Sequence, residues 1–183
     1  MNHGDHVALL RPANLTPATV WADFGAGAGA FTLALRELLG PNSEIYAVDK
    51  DRARLAELQH AWRTHFGEDV SRLHCLPADF TRPINLPKLD GVLMANSLHF
   101  FKDKQPVLRH LCSFLKPGGA LLIVEYNVDS GNLWVPSPFS FETWRILACK
   151  AGFAEPRLLA TRPSSFLQGF YSALTHLSPG DEN

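Results

Sequence analysis

The chain of 183 residues lacks an excess of either charge: Lys plus Arg is 17 and Asp plus Glu is 18. No field of one sign draws it to nucleic acid or to an anionic membrane. It is also poor in cysteine. Cys75, Cys112 and Cys149 are odd in number and far apart, with neither a disulfide framework nor zinc spacing. A reducing, cytoplasmic setting is therefore expected, with core packing as the role of all three. No apolar run approaches the ~20 residues of a membrane span. The opening stretch Met1 to His6 has no basic region followed by an apolar run, so no secretion signal is expected. The eight histidines are scattered, and no metal site is argued from them. Apolar content of 46% and charged content of 19% describe an ordinary globular domain.

The chain is organised around Thr19 to Phe31, T-V-W-A-D-F-G-A-G-A-G-A-F. The apolar run Val20 to Ala22 reads as a buried strand ending in the acid Asp23. Gly25, Gly27 and Gly29 then alternate with alanines, and an apolar-periodic run, Phe31 to Leu39, reads as a helix. A strand, a glycine turn and a helix start form a ligand cradle, because bare backbone and free N–H groups converge there.

Further on, Glu44 to Asp49 reads as a second strand and Lys50 to Trp62 as a helix. Arg72 to Leu76 is a third strand, and Thr81 to Leu89, with Pro83 and Pro87, a loop. Asp90 to Ala95 is a fourth strand. A helix then opens near Pro106, carries Val107, Leu108, Leu111, Cys112 and Leu115 on one face, and ends at Lys116 to Gly119. Ala120 to Val124 is a central strand. Ser140 caps a helix to Ala151, and Arg157 to Thr161 and Phe170 to Thr175 are two last strands. Residues 1–18 are expected as an N-terminal arm, with a short helix from Asp5 to Leu10, residues 19–176 as the domain, and 177–183 as a tail. His3 and His6 either face the ligand from the arm or belong to a loose end. His60 and His65 fall on a solvated helix face. Alternation of strands and helices predicts an α/β, doubly wound, mostly parallel sheet, with ligands beyond the carboxyl ends of its strands. Asp23, Asp49, Asp79, Asn96 and Glu125 all fall there.

The glycine stretch also fits the dinucleotide pattern G-x-G-x-x-G/A, with Asp49 about twenty residues on, so a nicotinamide or flavin enzyme is equally allowed by those two features. Three others favour a cationic ligand. Asp23 precedes the first glycine and would repel a pyrophosphate. Asp79-Phe80 closes the third strand, suited to an adenine edge and face. The length leaves no room for a separate dehydrogenase substrate domain. On Asp23 to Gly29, Ala47 to Asp51, Pro77 to Phe80, Asp90 to His99 and Leu115 to Gly119, the chain resembles the class I S-adenosylmethionine-dependent methyltransferases, of the small, catalytic-domain-only type. The resemblance runs from about residue 18 to 175. It implies a seven-stranded, Rossmann-like sheet with an antiparallel C-terminal strand.

It also implies S-adenosylmethionine as cofactor, with S-adenosylhomocysteine as product. The backbone of Gly25, Ala26 and Gly27 would pass beneath the methionine part, and Asp23 would hold the loop and favour the ammonium. Asp49 would accept the ribose hydroxyls and Lys50 would lie over the adenine. Asp79 would accept the adenine amino group beside the backbone of Phe80, and the Asn96 carbonyl would meet the ammonium. Methyl transfer from a sulfonium is an in-line displacement that needs a base only for a protonated acceptor. His99 is the candidate for that role and for contact with the acceptor, or else it packs and caps the next helix; Tyr126 and Glu125 come next. Base-amine and glutamine methyltransferases resemble N-P-P-Y or D-P-P-Y where this chain has Asn96-Ser97-Leu98-His99, so a small-molecule acceptor is expected rather than nucleic acid. Leu133, Trp134 and Val135, with Phe100 and Phe101, suggest an apolar wall that either binds the acceptor or forms a homodimer patch. A non-catalytic cofactor-binding subunit remains the alternative to an enzyme.

Overall fold

The computed structural model describes residues 1–178. Seven strands form one sheet in the order β3-β2-β1-β4-β5-β7-β6. The strands are β1 (Val20–Phe24), β2 (Glu44–Asp49), β3 (Leu73–Pro77), β4 (Leu89–Ala95), β5 (Leu115–Tyr126), β6 (Arg157–Pro163) and β7 (Gly169–His176). β1 to β5 run parallel, while β7 is antiparallel to both β5 and β6. The helices are α1 (His3–Leu10), α2 (Ala30–Leu39), α3 (Arg52–Phe66), α4 (Gln105–Cys112) and α5 (Phe141–Lys150). Alternate strand residues feed two cores. Trp21, Ile45, Ala47, Leu93 and Leu122 pack on the α1 to α3 side. Ala22, Phe24, Val48, Val92 and Leu121 pack on the α4 and α5 side. The order of strands reverses between β1 and β4, which places a crevice at their carboxyl ends. No described helix is long and apolar enough to cross a membrane.

One open alternative is decided and three expectations are corrected. The first eighteen residues do not begin as a loose end. Asn2 caps α1 in a reciprocal box with Asp5, and Val7, Leu9 and Leu10 are buried in the core. Ser172 Oγ on β7 donates to Leu9 O at 2.6 Å, which fixes the helix to the sheet. Second, Leu115 does not continue the helical stripe. α4 ends at Cys112 with Ser113 as its C-cap, and Leu115 pairs with Leu89 as the first residue of β5. Lys116 to Gly119 thus lie within an extended strand with a register shift, and Gly118 supplies its left-handed step at φ +71°. Third, Cys149 is exposed, because it lies on the outer side of α5, while Cys75 and Cys112 are half-buried. Fourth, the tail does not start free at 177. Leu177 bridges to Phe153 and donates to Gly119 O at 2.8 Å. Residues 179–183 of that expected tail lie outside the described residues.

Candidate active site

Between β1 and α2 the chain turns through Gly25 at φ +83°, Gly27 at +52° and Gly29 at +88°. At Gly29 a Cβ would meet Leu58 Cδ1 at 2.1 Å, so only glycine lets α2 start this close to α3. The loop is held from outside. Gly25 N and Ala26 N donate to Val48 O at 2.8 and 3.2 Å. Gly27 N donates to Asp49 Oδ2 at 2.8 Å, and Asp51 N donates to Asp49 Oδ1 at 2.9 Å. Asp49 therefore shapes the glycine loop, and each of its oxygens keeps a second lone pair for a ligand hydroxyl.

Asp23, Gly25, Ala26, Ala28, Phe31 and Asn96 line one cavity of about 250 Å³. Met1 and His6 of the N-terminal segment close one side of it. The His6 ring packs 4.6 Å from that of Phe31, and burial pushes its pKa down, which favours the neutral ring. Asp23 is buried, and Thr32 Oγ1 donates to its Oδ2 at 2.6 Å. Burial pushes its carboxyl up to about 7; the Thr32 hydroxyl opposes this and the Asp49 charge adds to it. Asn96 sits in the left-handed region at φ +53°, donates its N–H to Val124 O at 2.8 Å, and buries Oδ1 without a partner. A carboxyl at its titration point and an orphaned amide oxygen beside bare backbone suit a cation rich in N–H donors.

At the next strand ends, Thr81 donates to Asp79 Oδ1 through its hydroxyl at 2.6 Å and its amide at 3.0 Å. The hydroxyl first, then that amide and Lys50, hold the Asp79 carboxyl below its ordinary range. Lys50 Nζ stands 3.2 Å from Asp79 Oδ2, so it faces an acid rather than standing free. The Phe80 ring is core: it stacks parallel on Phe24 at 5.4 Å with Phe101 edge-on at 5.8 Å, which leaves its backbone at the strand end. Lys50, Asp79 and Phe80 do not line the cavity that gathers Asp23, the glycine loop and Asn96.

His99 lies in the 3-10 turn Leu98–Phe100 after β4 and is buried rather than at an open mouth. Its Nδ1 is 2.7 Å from Glu125 Oε2. Glu125 Oε1 accepts Leu98 N at 3.0 Å and His99 N at 3.2 Å. Glu125 is wholly buried, so as the reserve base it is corrected to a partner of His99. Tyr126, 6.1 Å from His99 between ring centres, has its phenol pKa raised by burial and by the Glu125 charge. Leu133 is 86% and Trp134 70% exposed. Two residues escaped the sequence reading. Ser97 Oγ donates to Phe24 O at 2.7 Å beneath Gly25, and Thr32 serves Asp23 from the first turn of α2. Ser97 lies within the stretch Asp90 to His99 but without a role of its own there, and Thr32 lies in no motif; only position next to Asn96 and the glycines marks them.

Asp23 sets a pH dependence. Its folded pKa lies above the ordinary carboxylate value of ~3.9, so its protonation stabilises the free fold most at acid pH. That contribution is lost as pH rises through about 7. A cation in the cavity favours the ionised form, so binding releases a proton below that pH. Affinity for S-adenosylhomocysteine, which keeps the ammonium, will rise as pH approaches about 7 and level off above it. The limit is about tenfold per pH unit. Calorimetric titration measures this, and Asp23→Asn will flatten the curve. A flat curve in the parent protein refutes the assignment.

A doubly wound sheet with a glycine cradle and carboxylates at its switch point defines a cofactor-binding α/β enzyme domain. A family profile described as "Methyltransferase domain" matches residues 22–121. The chain belongs to this family, the class I S-adenosylmethionine-dependent methyltransferases, whose cofactor is S-adenosylmethionine. It is 33% identical over 131 residues to acetylserotonin O-methyltransferase of Mus musculus, covering 67% of this chain and 32% of that protein. It is 28% identical over 178 residues to arsenite methyltransferase of Aquipseudomonas alcaligenes, covering 86% and 50%. The chain thus spans 32% and 50% of the length of these two curated relatives. A SAM-dependent methyltransferase from Aquifex aeolicus superposes with a TM-score of 0.73 at 18% identity, over 94% of this chain and 89% of that one. Human N-acetylserotonin methyltransferase in complex with SAM superposes at 0.68 and 20% identity, over 95% and 52%. The cavity fits the amino-acid end of this cofactor, because Asp23 and Asn96 offer it acceptors and the glycines offer it room.

Proposed function

We propose that the chain methylates a small, partly apolar acceptor at a hydroxyl, with His99 as general base and residues 19–176 as the catalytic unit. The observation that carries this is the buried His99–Glu125 pair, 2.7 Å apart, three residues beyond the cavity residue Asn96. Bound S-adenosylmethionine supplies a methyl group on a positively charged sulfur, already activated for in-line displacement. The chain's own part is to bind, orient and accept a proton. Asp23 and the Asn96 backbone hold the ammonium, and Asp49 and Asp79 hold the ribose and adenine. An acceptor-only Glu125 carboxylate fixes the proton on His99 Nδ1, which leaves Nε2 with a lone pair. Nε2 takes the hydroxyl proton as the acceptor attacks, and Glu125 stabilises the imidazolium. The names of two relatives, an acetylserotonin O-methyltransferase and an arsenite methyltransferase, support a small acceptor.

The test is release of S-adenosylhomocysteine with a panel of hydroxy-aromatic, thiol and amine acceptors. Cofactor binding without release from any of them would leave a non-catalytic module. The exposed Leu133 and Trp134 are read as the acceptor wall. Trp134→Ala will raise the acceptor KM about tenfold, roughly 1.4 kcal/mol, with cofactor affinity and mass in solution unchanged. An unchanged KM with a dimer falling to monomer would make the patch a homodimer face instead.

A further inference from the structure

Lys104 is the residue that local helix physics explains least. It occupies the position before α4, where an ammonium opposes the helix dipole and cannot accept from the free N–H groups. It makes no capping bond there. It is nevertheless only 5% exposed, a costly state for a charged amine. Its hydrogen bonds go to carbonyls rather than to a carboxylate. Nζ donates to Phe101 O at 2.9 Å and to Ser137 O at 2.9 Å. It also stands 4.8 Å from the centre of the Phe139 ring, in cation–π contact. Phe101 closes the turn that carries His99, and Ser137 lies at the base of the loop that presents Leu133 and Trp134. The same two segments meet again where Ser137 N donates to His99 O at 3.1 Å. The loop itself is stiffened by Asn132, whose Oδ1 accepts Trp134 N and Val135 N, each at 3.0 Å.

We infer that Lys104 is a positioning residue: its ammonium clamps the His99 turn to the Trp134 loop, so that base and acceptor wall are held as one unit. The inference rests on the reading of His99 as base. Without the clamp, Phe101 O and Ser137 O lose a shared donor, and the bond from Ser137 N to His99 O is left to join the two segments, so both open more readily.

Lys104→Met keeps the side-chain length and the contact with Phe139 but deletes the donors. Amide hydrogen exchange in residues 97–102 and 130–139 will then speed by tenfold or more, with residues 19–30 unchanged. S-adenosylhomocysteine affinity will stay within threefold. The downfield proton resonance of His99 Nδ1–H, visible only while its exchange with water is slow, will broaden or vanish. Unchanged exchange in both segments together with an unchanged His99 resonance overturns the clamp. Should the variant not fold, native-state exchange of the parent protein in mild denaturant decides: the two segments will open with one common free energy, and separate openings overturn the inference. None of these measurements uses an acceptor, so failure of the clamp is told apart from failure of His99 as base, which turnover of a His99→Ala variant reads.

Discussion

Replacing Glu125 by glutamine will lower methyl transfer by about 100-fold or more while the cofactor site stays intact. The two side chains have the same shape, but only one is acceptor on both ends. In the native protein Oε1 takes Leu98 N and His99 N, and Oε2 faces His99 Nδ1 at 2.7 Å. A glutamine keeps its carbonyl on the two backbone N–H groups, since turning it would leave both unpaired in a buried place. Its NH2 then faces Nδ1, a donor against a donor. The imidazole relieves this by moving its proton to Nε2, the atom proposed to accept from the substrate. The loss falls on kcat, because proton acceptance is made only as the acceptor attacks. S-adenosylhomocysteine affinity will stay within threefold, as Glu125 does not line the cavity. His99→Ala will cost a similar factor, and the double variant no more than the single one, because both act through one proton. Turnover within threefold of the parent for Glu125→Gln removes the base assignment.

The parts of the fold that were legible in the sequence are those fixed by local pattern. Val20 to Ala22, Glu44 to Asp49 and Ala120 to Val124 are apolar runs between turn residues, and each is a strand of the sheet. The acids at strand ends were legible too, since a parallel sheet delivers all carboxyl ends to one edge. What a linear reading could not supply was the pairing of side chains across strands. Glu125 and His99 are 26 positions apart and meet only because β5 lies beside β4. Lys104 and Ser137 are 33 apart and meet through the loop that follows β5. The Lys116 to Gly119 stretch misled for the opposite reason. Its proline and glycines end a helix locally, but pairing of Leu115 with Leu89 and the bond from Lys116 Nζ to Asp90 Oδ1 at 2.7 Å draw it into the sheet. For the N-terminal residues the sequence offers only a short helix from Asp5 to Leu10, and their anchoring comes from a cap and from Ser172 on the last strand.

Gly25→Ala will cost both the fold and the cofactor site, and the two costs are separable. At φ +83° an L side chain clashes with its own backbone, worth about 1–2 kcal/mol. The added Cβ would also stand 2.5 Å from Ser97 Cβ and 3.2 Å from Ser97 Oγ. Ser97 cannot retreat cheaply, because it is buried and its hydroxyl is spent on Phe24 O. Relief by moving the loop instead would break the bond from Gly25 N to Val48 O at 2.8 Å. Overpacking of this kind adds about 1–3 kcal/mol. Together they will lower Tm by roughly 5–15 °C in a domain of this size. The displaced loop will also weaken S-adenosylhomocysteine binding by about 100-fold, since Gly25 and Ala26 are walls of the cavity proposed for it. Ser97→Gly removes the obstructing Cβ together with the bond to Phe24 O and leaves the torsion at Gly25, so Gly25→Ala will cost less Tm in a Ser97→Gly background than in the parent protein, but still some. Gly27→Ala is the control. Nothing lies within 4 Å of a Cβ at Gly27, so only the torsional part applies, and its Tm will fall by less than that of Gly25→Ala. Equal Tm losses for Gly25→Ala and Gly27→Ala, or the same cost of Gly25→Ala in the parent protein and in the Ser97→Gly background, would show that Ser97 does not brace the glycine turn against β1.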